Sequence, residues 1–221
     1  MNRNPDGGSA LETPEETIDP AAALRLYRTG TARAYAASTD VSRLFWATWG
    51  LAWLLGYLCL WAGARLTGSM PPVWAFIVFY AVMAAGIVIS AVFGIRSSQR
   101  LKGPSALAGT LYGWSWFLGF GGGMTMVALF TNRYDLPGPA ISVMYNAVAA
   151  LIAGALYMAG AAAFKVPSMF LVGVVFIVLS ILSAVVPLPA GFLVMAFLGG
   201  GLMLLGFIVA TWRGRRHQAD R

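Results

Sequence analysis

Six apolar stretches of at least 18 residues constrain this chain more than any other feature, because none of them contains Asp, Glu, Lys, Arg or His. In a helix, about 20 apolar residues cross the roughly 30 Å hydrocarbon core of a bilayer. Composition agrees, since 59% of the residues are hydrophobic and 10% are charged, against about 25% charged in a soluble domain. The sequence therefore predicts an all-α integral membrane protein with six transmembrane helices, at residues 44–64, 73–95, 106–130, 139–164, 169–186 and 190–212.

The basic residues outside these stretches predict how the chain is oriented. Thirteen Lys and Arg residues fall on the face that holds both termini, and two, Arg65 and Arg133, fall on the other. Cytoplasmic loops carry the excess of Lys and Arg, so both termini are expected to be cytoplasmic. Heavy use of Arg, Ala and Gly favours a bacterial source, and hence a multi-pass protein of a bacterial cytoplasmic membrane.

The segments that flank the spans differ from one another in composition. Residues 1–18 are rich in Pro, Gly and acidic side chains and are predicted to be a disordered cytoplasmic tail, whereas 213–221 form a basic cytoplasmic tail. Between them, residues 19–43 are predicted to be an interfacial helix and linker, because Asp19 can cap a helix that starts at Pro20. Its basic residues are candidates for binding lipid phosphate: Arg25, Arg28 and Arg33. A solvated helix or a partner-binding arm explains the segment equally well.

A nine-residue stretch occurs twice, at 49–57 (WGLAWLLGY) and at 112–120 (YGWSWFLGF). The two copies share both glycines, one tryptophan, one leucine and an aromatic residue at each end. This match predicts a parallel repeat in which helices 1 and 2 correspond to helices 3 and 4. Convergence on Trp-rich and Gly-rich sequence is the alternative explanation.

Small residues recur every fourth position within the spans, and two glycine triplets interrupt the third and sixth. Such residues let helices in a bilayer approach closely, so they predict packing faces. The triplets also fit a hinge or an unwound segment that opens the backbone toward a cavity. The predicted packing or hinge residues are Gly86, Ser90, Gly94, Gly119, Gly121, Gly122, Gly123, Gly199, Gly200 and Gly201.

Aromatic residues at helical spacing suggest a ligand site in the middle of the membrane. Two aromatic faces, one in each copy of the repeat, could line a pocket for an apolar or cationic organic molecule, and one amide is the most polar side chain within the spans. Ordinary helix packing is the competing explanation for these faces. The predicted ligand-binding residues are Trp49, Trp53, Tyr57, Trp116, Phe120 and Asn146.

The absence of ionised residues from the spans bears on function. Proton relays and ion-coupled pumps normally keep such a residue there despite its cost of about 2.5–3.5 kcal/mol. The chain also lacks paired carboxylates, a Ser/His/Asp set and a phosphate-binding loop, and it has one histidine, His217, and one cysteine, Cys59. We therefore expect no enzymatic activity, no catalytic residues, no metal and no cofactor.

These features together favour a transporter, or the permease-like membrane subunit of one, that handles a hydrophobic or organic small molecule. The alternative is a non-transporting scaffold or regulatory protein that binds another membrane protein or lipid. Membrane lipids are the expected partners, with another membrane protein, a homo-oligomer or a separate ATPase subunit as further candidates. Nucleic acid is not expected, because the net charge of +7 fits a cytoplasmic face that meets anionic lipid.

Overall fold

The computed structural model describes the backbone of residues 19–98 and 104–219, and the side chains in these ranges except those of 20, 22, 26–42, 97–98, 104–106 and 213–219. The predicted tail at 1–18 lies outside the described residues. Within the described ranges the chain is helical and contains no strand. Its elements are α1 (Pro20–Thr67), α2 (Val73–Ser98), α3 (Pro104–Arg133), α4 (Gly138–Phe164), α5 (Pro167–Val185), α6 (Ala190–Val194), a π-helical segment (Met195–Gly201) and α7 (Leu202–Ala219).

The chain divides after Asp40 into two units, which are described separately. In the first unit Arg25 is exposed, while the side chains of Arg28 and Arg33 lie outside the described residues, so their predicted role in binding phosphate stays a prediction. The segment before residue 44 was predicted to end in a linker but is helical, because residues 36–43 contain neither glycine nor proline. The second unit, Val41–Arg221, contains all the predicted spans.

Five helices among the described residues are long and apolar enough to cross a membrane. This result confirms a multi-pass membrane protein. Helix α3, predicted as a further span at 106–130, does not reach the same apolar content, because it carries six glycines, three threonines and two serines. The sixth span therefore stays a prediction. The five are Arg43–Thr67, Val73–Arg96, Gly138–Phe164, Pro167–Val185 and Ala190–Trp212, the last of which combines α6, the π-helical segment and α7.

Helix α1 packs antiparallel against two other spans. As residue numbers rise along α1, they fall along α2 and along the last span, which is the signature of antiparallel neighbours. Against α2 the pairs are Trp49 with Ser90, Gly56 with Phe79, and Gly63 with Ala75. Against the last span the pairs are Trp46 with Gly206, Gly50 with Leu204, and Leu54 with Gly200.

Helix α4 has antiparallel neighbours on two sides by the same reasoning. Its pairs with α3 are Ile152 with Gly119 and Leu156 with Tyr112. Its pairs with α5 are Ala147 with Ser180, Gly154 with Gly173, and Gly160 with Met169. Close approach of α4 and α5 depends on Gly154 and Gly173, because a Cβ added at either glycine would lie within 3 Å of the other's carbonyl oxygen.

The start of the first span lies beside the end of the last span. The Arg43 Nη2 atom donates a hydrogen bond of 3.2 Å to the carbonyl oxygen of Ala210, two residues before the last span ends at Trp212. Consequently the chain enters and leaves the helical bundle at the same end.

The opposite end of the bundle is closed by short, stiff loops. Helix α1 stops where Gly68 adopts a left-handed conformation (φ +66°), and the Thr67 hydroxyl donates to the Gly63 carbonyl at 3.1 Å. The loop then continues to Met70, which lies against Gly138 at the start of α4. Helices α5 and α6 are joined by the proline-rich loop 186–189.

Candidate functional site

A cavity of about 550 Å³ opens at this loop end of the bundle. It lies where the loop between α1 and α2, the first turn of α4 and the loop between α5 and α6 meet. Arg65 and Ser69 line it, and Phe192 contributes from the last span. Its volume falls within the roughly 300–1,000 Å³ of typical small-molecule sites.

Proline stiffens the walls of this cavity. Four lining residues are prolines, one or two from each of the three wall segments: Pro71, Pro139, Pro187 and Pro189. The proline ring fixes φ near −65°, so these walls lose little conformational freedom when a ligand binds. The cavity is therefore preorganised by its sequence.

Phe192 separates the cavity from the interior of the bundle. Its side chain is 1% exposed, and its ring centroid lies 6.4 Å from that of Tyr57. On α4, the cavity residue Val143 is followed three positions later by Asn146, about one helical turn deeper. Phe192 and Val143 therefore connect the lining of the cavity to Tyr57 and Asn146, which do not line it themselves.

Tyr57 and Asn146 form the central polar contact of the bundle. The Tyr57 hydroxyl donates a hydrogen bond of 2.7 Å to Asn146 Oδ1, and Tyr57 is buried. A buried hydroxyl needs such a partner, because water is excluded from the interior. The structure thus brings together two of the predicted ligand-binding residues and pairs them with each other.

The two predicted aromatic faces are joined by rings that the sequence did not single out. Trp53 packs edge-on against Phe176 of α5 with centroids 5.0 Å apart, and Trp116 packs edge-on against Tyr157 of α4 at 5.3 Å. Phe176 and Tyr157 lie 5.6 Å apart, which closes the chain of rings. Phe120 stacks on Trp116 at 5.8 Å and extends it. These rings fill the interior between the two faces.

Trp49 packs against the same core but bonds to α2. Its indole Nε1 donates to Ser90 Oγ on α2 at 2.9 Å. Of the six predicted ligand-binding residues, Trp49 is therefore the one whose side chain is hydrogen-bonded to α2.

A partial signal for the missed rings was present in the sequence. Tyr157 follows Asn146 by eleven positions on α4, which is about three helical turns and places both residues on one face. No comparable spacing from a polar residue singles out Phe176 or Phe192, because the sequence does not show which neighbouring helix each span faces.

The predicted packing or hinge residues differ in how closely a neighbouring helix approaches them. A Cβ added at Gly199 would lie 2.5 Å from the Trp53 ring, one at Gly200 would meet the α1 backbone, and one at Gly123 would meet Ile152. Gly119 and Gly86 are in looser contact with α4 and α1, respectively, and Ser90 bonds to Trp49. An added Cβ would meet no atom within 4 Å at the remaining positions: Gly94, Gly121, Gly122 and Gly201.

The two glycine triplets differ in backbone structure. Gly199 to Gly201 end a π-helical segment, whereas Gly121 to Gly123 lie inside the regular helix α3. Neither triplet is unwound. Inserted π-helical turns are often found near functional sites, and this one starts three residues after Phe192.

The two copies of the repeated stretch have different surroundings. Gly50 packs on Leu204, whereas its counterpart Gly113 has open space around it. Gly56 and Gly119 have similar surroundings, because Gly56 lies against α2 and Gly119 lies against α4, which is the next helix in the chain in each case. The repeat stays a prediction.

A second, shallow groove of about 650 Å³ runs along the outward side of α3. Gly121 and Gly122 form its floor, and Arg133 and Tyr134 lie at its end.

Within the described part of the chain, no group of three His, Cys, Asp or Glu side chains is placed to hold a metal ion. Comparison with protein-family models, curated proteins and solved structures found no match to this chain.

Proposed function

We propose that this protein is a transporter, or the membrane subunit of one, that handles a hydrophobic or organic small molecule in a bacterial cytoplasmic membrane. The observation that carries the proposal is the preorganised cavity at the loop end, whose lining includes Phe192, and the Phe192 ring stacks on Tyr57, the hydrogen-bond partner of Asn146. No enzymatic role is proposed.

Six crossings with both termini in the cytoplasm are part of this proposal. The contact between Arg43 and Ala210 supports an even number of crossings, because it places the start of the first span beside the end of the last span. With an odd number of crossings, these two points would lie on opposite faces of the membrane. The antiparallel packing of α3 along α4 supports α3 as the additional span. The distribution of Lys and Arg supports the cytoplasmic assignment.

In this proposal a solute binds first in the cavity and then passes Phe192. The next polar groups that it meets are the Tyr57 hydroxyl and the Asn146 amide, which can exchange their mutual hydrogen bond for bonds to the solute. The surrounding rings supply apolar contact area.

A cavity-filling variant tests the proposal. The full chain is reconstituted into liposomes, and uptake of radiolabelled decyl phosphate, decyl maltoside and decyltrimethylammonium, whose headgroups cross a lipid bilayer slowly, is compared with that of protein-free liposomes. Ala140 lines the cavity, so Ala140→Phe is expected to lower uptake at least tenfold. Ala162 is exposed on the same helix, so Ala162→Phe is the matched control and is expected to leave uptake unchanged.

The outcome separates transport from its alternative. Uptake equal to that of protein-free liposomes for all three probes would refute the transporter proposal. So would uptake that Ala140→Phe and Ala162→Phe affect equally.

The second candidate function is a scaffold that binds another membrane protein. The outward side of α3 favours it, since Gly113, Gly121 and Gly122 are exposed and leave room for a neighbouring helix to approach closely. Crosslinking in the native membrane followed by purification would recover a stoichiometric partner in this case. Gly121→Leu would then reduce its recovery.

A further inference from the structure

The charge of the cavity is set by one side chain. Arg65 lies in the last turn of α1, and among the lining residues, all of which the structure describes, it is the one that is ionisable. No carboxylate lines the cavity to offset it. The rim of the cavity is therefore positively charged.

Few other side-chain donors are available to a bound headgroup. Four of the lining residues are prolines, which have no backbone N–H, and the Ser69 hydroxyl is the other side-chain donor on the rim. The deeper lining is apolar and ends at Phe192. Such a cavity offers a cation at its mouth and hydrocarbon contact below.

From this arrangement we propose that the cavity binds an amphiphile with an anionic headgroup, a carboxylate or a phosphate. The headgroup pairs with the Arg65 guanidinium, and the apolar chain points toward Phe192. The inference names the solute class of the proposed transporter and rests on that proposal for the role of the cavity.

A cationic solute fits the structure less well, although the aromatic residues suggested one from the sequence. Trp53 and Trp116 are engaged with other rings, and Phe192 is the aromatic residue that lines the cavity. A bound cation would also be repelled by Arg65.

A series of probes with one chain and three headgroups tests the solute class. Binding of radiolabelled decanoate to the full chain is measured in phosphatidylcholine nanodiscs, with 1-decanol and decyltrimethylammonium as competitors. We expect Arg65→Gln to weaken decanoate binding about five- to tenfold and to leave 1-decanol competition unchanged, because a charge-assisted bond is lost. Arg65→Lys keeps the charge and is expected to bind within about threefold of the wild type.

Arg133→Gln is the matched control, because Arg133 belongs to the groove on α3 and does not line the cavity. Should Arg65→Gln fail to fold, ionic strength gives a second measurement on the wild type. Added salt is expected to weaken binding of decanoate but not of 1-decanol.

A further measurement distinguishes a membrane lipid from a free amphiphile as the ligand. Nanodiscs that contain phosphatidylglycerol should reduce decanoate binding to the wild type more than to Arg65→Gln if a membrane lipid occupies the cavity, and should reduce both by the same factor if the ligand is a free amphiphile, because surface repulsion acts on both variants alike. Equal decanoate binding by Arg65→Gln and the wild type would overturn the inference, and so would equal competition by decyltrimethylammonium and unlabelled decanoate. Arg65-dependent binding without uptake would retain the ligand class and refute transport.

Discussion

Neighbouring glycines in one triplet have opposite tolerance for a side chain. A Cβ at Gly200 would lie 2.5 Å from the Leu54 backbone nitrogen and 2.8 Å from the Gly50 carbonyl oxygen, and backbone atoms of α1 cannot move aside. At Gly201 the same Cβ would meet nothing within 4 Å. Close approach of α1 and the last span therefore depends on the second glycine of the triplet.

We predict that Gly200→Ala lowers the free energy of unfolding by about 1–3 kcal/mol, because overpacking forces the two helices apart. Gly201→Ala is the control and is expected to change it by less than about 1 kcal/mol, since alanine fits a helix well. Unfolding by SDS in mixed micelles measures both. Equal losses would contradict the packing of α1 on the last span.

The bond between Tyr57 and Asn146 can be measured by a double-mutant cycle. Tyr57→Phe, Asn146→Leu and the double variant are compared with the wild type by the same unfolding assay. We predict a coupling free energy of about 0.6–1.7 kcal/mol, from the average to the maximum that double-mutant cycles give for hydrogen bonds between helices in a membrane protein. A coupling near zero would show that the two side chains do not depend on each other.

At the scale of elements, α3 is the long helix whose composition is less apolar than that of the five spans. Its glycines and hydroxyl side chains lower its hydropathy, yet it lies antiparallel against the span α4. If α3 crosses the membrane, the loop after α1 and the loop after α3 lie on the same side. If it does not cross, they lie on opposite sides.

Cysteine labelling distinguishes these arrangements in a Cys59→Ser background. Ser69→Cys, Asn132→Cys and Ser168→Cys place thiols at exposed positions after α1, at the end of α3 and at the start of α5. We predict that a membrane-impermeant maleimide labels the first two in intact cells and the third only after lysis. Labelling of Ser69→Cys without Asn132→Cys would remove α3 from the set of spans.

At the scale of the whole molecule, rings from each of the helices α1 to α6 form one continuous aromatic core. Within it, Phe176 and Tyr157 lie between Trp53 and Trp116, whereas Trp114 is 53% exposed on the outward side of α3. In a bilayer such a core contributes through close packing, since lipid tails already satisfy apolar side chains.

We predict that Trp53→Leu lowers the free energy of unfolding by about 2 kcal/mol, because the smaller side chain leaves a void beside Phe176. Trp116→Leu, which is half-buried, should cost less, and Trp114→Leu is the exposed control with little expected effect. SDS unfolding and expression level are the measurements. Similar losses for all three variants would show that burial in this core does not set their contribution.

The positions of the five spans could be read from the sequence, and the structure places each within about three residues of its prediction. Hydropathy is a local property that adds along a stretch, so it needs no knowledge of neighbouring helices. The tertiary structure decided that Tyr57 meets Asn146, that Phe176 and Tyr157 join the two aromatic faces, and that Arg65 lines a cavity. These facts depend on which helices are neighbours, and in a bilayer that choice is made by the fit of small side-chain surfaces, which hydropathy along the sequence does not encode.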